Sequence, residues 1–140
     1  MRLLRVAFIA TVVAAVCSIA GFIGVFVLAD KSMCANEDIA EVASPNAQLK
    51  AIVFQRDCGA TTGFSTQVAV LPAGASLQNE PGNVFVADTN HGAAPSGRGG
   101  GPEVAVHWRS DDALQIAHHP NARVFLAEHR IGDVRVDYGR

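Results

Sequence analysis

No charged residue occurs between positions 6 and 29, and no acid occurs before Asp30. That absence excludes a solvated surface segment. As a helix rising about 1.5 Å per residue, the 24 uncharged positions reach about 36 Å, slightly more than the ~30 Å hydrocarbon core of a bilayer. Arg2 and Arg5 precede the run, while Asp30 and Lys31 follow it. The positive-inside rule keeps the N-terminus in the cytoplasm and exports the rest. Val27-Leu28-Ala29 is an acceptable signal-peptidase site, but the run is far longer than the roughly 7–15 apolar residues of a signal peptide. Residues 1–29 therefore read as a cytoplasmic stub and an uncleaved, single-pass transmembrane signal-anchor helix. No lipoprotein pattern precedes Cys17, which reads as a packing residue.

A basic excess is also missing. Beyond residue 29, nine Lys and Arg face 13 acids, a balance of −4. Nucleic-acid binders draw most of their affinity from phosphate neutralisation, so that class is excluded. The glycine-rich segment 88–102 lacks the Gly-Lys-Ser/Thr ending of a phosphate-binding loop and reads as a surface connection. Metal spacings such as HxH or HExxH are absent; His118 and His119 are consecutive, so in a strand they face opposite ways. Asp111-Asp112 suits a turn rather than an acid–base pair. No catalytic residue, metal ligand or cofactor is predicted.

No helical period is sustained after residue 45. What is present is a series of short Val-, Ile- and Phe-rich runs over 48–56, 65–71, 83–87, 103–109, 113–118, 123–128 and 134–138, separated by turn signals. They predict an all-β exported domain over 45–140, a small antiparallel sandwich or curved meander sheet, joined to the anchor by a polar linker over 30–44 with a short helical turn through "NEDIAEVA". A propeller is excluded because fewer than three blades of about 40 residues fit. In "EVAVHWRSDDALQIAHHP", a turn at Asp111 pairs Trp108 with Leu114 and Val106 with Ile116. That register puts Val104, Val106, Trp108, Leu114 and Ile116 on one face. "AIVF" at 51–54 is apolar on both faces and reads as a central strand covered on both sides.

Of three cysteines, Cys17 lies in the anchor run, leaving Cys34 and Cys58 as an even pair in an oxidising compartment. A bond closing a loop of about 25 residues stabilises by roughly 3.5 kcal/mol on the chain-entropy model. A free Cys58 would instead be a nucleophile, but no histidine spacing supplies it with a base. A disulfide accounts for Cys58 and leaves its neighbours unexplained. Arg56, Asp57, Gly59, Thr61, Thr62 and Ser65 are therefore the candidate ligand-binding residues.

Three stretches, "AIVFQRDCGATTGFSTQVAVLP", "GNVFVADTNHG" and "PEVAVHWRSDDALQIAHHPNARVFLAE", resemble a family of small membrane-anchored bacterial proteins of unknown function, with Cys-Gly-Ala-Thr-Thr and His-Pro motifs. The resemblance implies a bacterial cytoplasmic membrane with the domain facing the periplasm or cell exterior; it implies no activity. The expected function is non-catalytic binding of a partner protein, envelope component or small ligand at the membrane surface. The alternatives are a thiol-dependent enzyme using Cys58 and a small accessory subunit of a membrane complex.

Overall fold

The computed structural model describes residues 12–18, 33–59 and 62–139. Residues 12–18 are helical, with Ser18 Oγ donating to the Ala14 carbonyl at 2.9 Å. Among the described residues no helix is long and apolar enough to cross a membrane. The span expected over 6–29 lies for the most part outside them.

Cys34–Arg140 forms a separate unit built from strands. These are β1 (Ala35–Ala43), β2 (Leu49–Asp57), β3 (Ser65–Pro72), β4 (Phe85–Asp88), β5 (Val104–Ser110), β6 (Ala113–His118), β7 (Arg123–Ala127), β8 (Arg130–Ile131) and β9 (Val134–Gly139). The seven runs read from sequence are all strands, and β1 and β8 are additional.

Two sheets result, ordered β1-β2-β3-β4-β7 and β5-β6-β9-β8. The first is antiparallel throughout. The second departs from the all-antiparallel expectation, because β6 and β9 are parallel. The chain leaves β6 for β7 in the other sheet and returns through β8, whose antiparallel pairing with β9 sends β9 in the direction of β6.

The sheets face each other across one core. Ala51, Val53, Val68, Val70, Phe85 and Ala87 come from the first, and Trp108, Leu114, Ile116, Val134 and Val136 from the second. The β5–β6 hairpin has the expected register, with Trp108 opposite Leu114 and Val106 opposite Ile116. Val104 and Val106 pack against the same core. Trp108 also donates its indole N–H to the Val42 carbonyl at 3.0 Å, fastening the second sheet to β1. Residues 51–54 are buried on both faces as expected. Ala51 and Val53 join the inter-sheet core, while Ile52 and Phe54 pack with Ala69, Leu71 and Leu77 on the outer face.

Two expectations are corrected. Within the expected polar linker, the stretch read as a helical turn is instead strand β1, paired with β2 from Ala35 onward, while residues 30–32 lie outside the described residues. A bulge between Asp38 and Ala40 lets Ile39 and Val42, three residues apart, both pack against the core. The glycine-rich segment is not a mere surface connection, because its C-terminal part is built into the fold. Ser96 pairs with Pro102, and Thr66 Oγ1 donates to the Pro102 carbonyl at 2.7 Å. A Cβ on Gly101 would lie 2.4 Å from Thr66 Oγ1, so only glycine admits this approach.

Candidate functional site

Cys34 and Cys58 are disulfide-bonded. They flank the Ala35–Asp57 pair, the first rung of β1 on β2. The other end of this hairpin is closed by a turn in which Ser44 N donates to the Leu49 carbonyl at 2.8 Å. The bond thus locks the open end of an edge strand that buries few of its own side chains. With its sulfur committed to Cys34, Cys58 is not a free nucleophile.

The residues after Cys58 divide into two groups. Asp57 Oδ1 accepts a hydrogen bond from Gly59 N at 2.9 Å, and Gly59 adopts a φ of +97°. Thr62 donates to the Gly59 carbonyl through both its N–H and its Oγ1, each at 3.1 Å. This is an Asx-type turn, and it accounts for Asp57 and Gly59 by local backbone chemistry. Thr61 lies outside the described residues. Arg56, Thr62 and Ser65 instead line a concavity of about 420 Å³ on the outer face of the five-stranded sheet.

Its floor is one cross-strand row. Asn36 of β1 is opposite Arg56 of β2, Arg56 opposite Ser65 of β3, Ser65 opposite Asp88 of β4, and Asp88 opposite Arg123 of β7. Strand alternation places all five on the outer face. Arg56 is 9% exposed, and its Nη1 donates to Asn36 Oδ1 at 2.7 Å and to Asn79 Oδ1 at 3.0 Å. Those amides are themselves held. Asn36 Nδ2 donates to the Gln78 and Glu80 carbonyls, both at 2.9 Å, and Asn79 Nδ2 to the Cys34 carbonyl at 2.7 Å. Gln67 accepts from Gly82 N at 2.7 Å and donates to Ser65 Oγ at 2.8 Å. These bonds lay the segment 77–82 across the sheet and fix the wall of the concavity.

The two arginines differ in charge compensation. Arg123 forms an ion pair with Asp88 and lies over the Phe125 ring, 5.0 Å from its centroid. Burial pushes the Asp88 carboxyl up. Hydrogen bonds from Arg123 and the Asn90 N–H, with the charges of Arg123 and His91, outweigh it and hold the carboxyl below its ordinary value. Arg56 has no carboxylate partner among the described residues. Among the described residues its Nε and Nη2 also have no hydrogen-bond partner, and no solvent-sealed side-chain nitrogen or oxygen is left unpaired. Those two nitrogens are therefore reached by solvent, and Arg56 lines the concavity. At its rim Phe125 is 60% exposed.

A larger groove of about 800 Å³ borders β1 and the segment 76–79, with Glu37, Asp38, Glu41 and Lys50 in its lining. Lys50 is paired with Glu41 at 3.1 Å, and among the described residues no buried charged side chain lines it. The smaller concavity is chemically the more defined. Among the described residues no three His, Cys, Asp or Glu side chains converge as a metal site.

Sequence reasoning located Arg56, Thr62 and Ser65 but missed Asn36, Gln67, Asn79, Asp88, Arg123 and Phe125. The row exists only once the strand order brings five distant segments together. The available hint was the opposite charge of Asp88 and Arg123 at the ends of two apolar runs. No family model, curated protein or solved structure matches the chain.

Proposed function

We propose that this chain is a membrane-anchored exported binding domain, held at a bacterial cytoplasmic membrane by residues 6–29 and recognising its ligand on the outer face of the five-stranded sheet. The supporting observation is Arg56. A charge this buried is ordinarily matched by a carboxylate, and here it meets two neutral amides and an open concavity. The uncharged 24-residue run supports the anchor, and the Cys34–Cys58 bond suits an oxidising compartment. The role is non-catalytic: the side chains around Arg56 position and bind, and the cysteine beside them is bonded.

The test is site-specific photo-crosslinking in intact membranes, with the reactive group placed at Phe125 on the concavity rim or at His107 on the second sheet. A discrete adduct from position 125 that is absent from position 107, and lost with Arg56→Gln, is expected. Equal labelling from both positions would overturn the assignment of the binding face.

A further inference from the structure

We infer that the concavity binds a carboxylate, received by the free Nε–Nη2 edge of Arg56, with the apolar part of the ligand lying toward Phe125. This rests on the binding-face reading above and names the ligand chemistry. Nη1 is consumed by Asn36 and Asn79, so the guanidinium is left with one open edge carrying two parallel N–H groups. That edge matches the two oxygens of a carboxylate. Because both amides are tied to the main chain, the fork is fixed before the ligand arrives, which lowers the ordering cost of binding.

The charge balance selects the same chemistry. The charged groups lining the concavity are Arg56, Arg123 and Asp88, a net of +1. Asp88 is engaged by Arg123, and Asp57, next to Arg56, turns away to the Gly59 N–H. One negative charge neutralises the site, whereas a phosphate dianion would leave an excess facing Asp88. Thr62 borders the site, and Val86, Pro81 and Phe125 supply apolar surface beside it. An organic acid or the C-terminus of a peptide has this combination of one carboxylate and an adjoining apolar group.

The experiment follows the Arg56 side-chain Nε–H resonance of the full chain, in non-ionic detergent, by NMR. Benzoate, benzamide, inorganic phosphate and N-acetylphenylalanine are titrated in turn. Benzoate is expected to shift Arg56 Nε–H and the Thr62 and Ser65 amides saturably, with benzamide at least tenfold weaker. Tighter binding of N-acetylphenylalanine than of benzoate supports the inference and identifies a peptide C-terminus as the source; equal binding supports it and identifies a free organic acid. Arg56→Lys, which keeps the charge but not the fork, should bind benzoate at least fivefold more weakly. The wild-type Nε–H signal needs no variant to fold. Equal shifts from benzoate and benzamide, or phosphate binding more tightly than benzoate, would overturn it. If that happens while the crosslinker at position 125 still gives its Arg56-dependent adduct, the carboxylate assignment alone falls and the binding face stands.

Discussion

Asn36 and Arg56 are cross-strand partners joined by a 2.7 Å hydrogen bond, two residues inward from the Cys34–Cys58 bond. The disulfide therefore protects the geometry of the arginine as well as the edge strand. Replacing both cysteines by alanine should lower stability by about 2–4 kcal/mol in urea denaturation. It should also raise hydrogen exchange at the β1 amides more than at those of β6. Uniform exchange across both sheets would show that the bond stabilises the fold without holding this edge.

The single indole in the chain links the two sheets through its N–H to the Val42 carbonyl. Trp108→Phe keeps most of the ring but removes that donor. A loss of about 1–2 kcal/mol is expected, read by far-ultraviolet circular dichroism because the variant has no tryptophan to fluoresce. Unchanged stability would mean that water replaces the bond at no cost.

Glycines 101 and 74 should respond oppositely to alanine. A Cβ at Gly101 would approach Thr66 N to 2.6 Å, while one at Gly74 meets nothing within 4 Å. Gly101→Ala is expected to cost about 1–3 kcal/mol, and Gly74→Ala to stay within about 0.5 kcal/mol of the parent. Similar midpoints for both in thermal unfolding would contradict the packed placement of the segment 97–102.

Tyr138 donates to the Glu128 carbonyl at 2.7 Å, and burial, reinforced by the Glu128 charge, pushes its phenol up to about 12. A raised value means that the folded chain holds the proton more tightly than the unfolded one. The stabilisation is complete below about pH 10, the unfolded value, and is lost as pH rises through about 12. Because Tyr138 is the sole tyrosine, the tyrosinate absorbance band reports it alone. Its midpoint should fall by about two units on adding urea; a native midpoint near that of the free phenol would refute this environment.

The parts of the fold that were legible are those in which one segment determines its own burial. Residues 51–54 announced a doubly covered strand, and the β5–β6 hairpin declared its register because a slip would have split its apolar face. β1 was illegible for a specific reason. The bulge at Ile39 breaks the two-residue alternation, so Ile39 and Val42 present the three-residue spacing of a helix turn. Gly101 read as part of a surface connection because close approach to Thr66 is a property of two distant segments. The Cys34–Cys58 pairing followed from counting thiols, whereas the row from Asn36 to Arg123 needed the strand order. Within the motif, Asp57 and Gly59 were architectural and Arg56 was the residue with unspent chemistry.

The placement of β9 has a consequence in time. The last strand of the fold in chain order takes an interior place between β6 and β8, and its Val136 is fully buried in the shared core. The second sheet cannot assemble around a growing chain until residues 134–139 have been made. Before then β5 and β6 have the five-stranded sheet to face, but β6 lacks the strand that pairs along its other edge. Completion of the second sheet is therefore the latest event of the fold in chain order, after every strand of the first sheet has been made, and a chain that stops short of residue 134 leaves β6 with an unpaired edge.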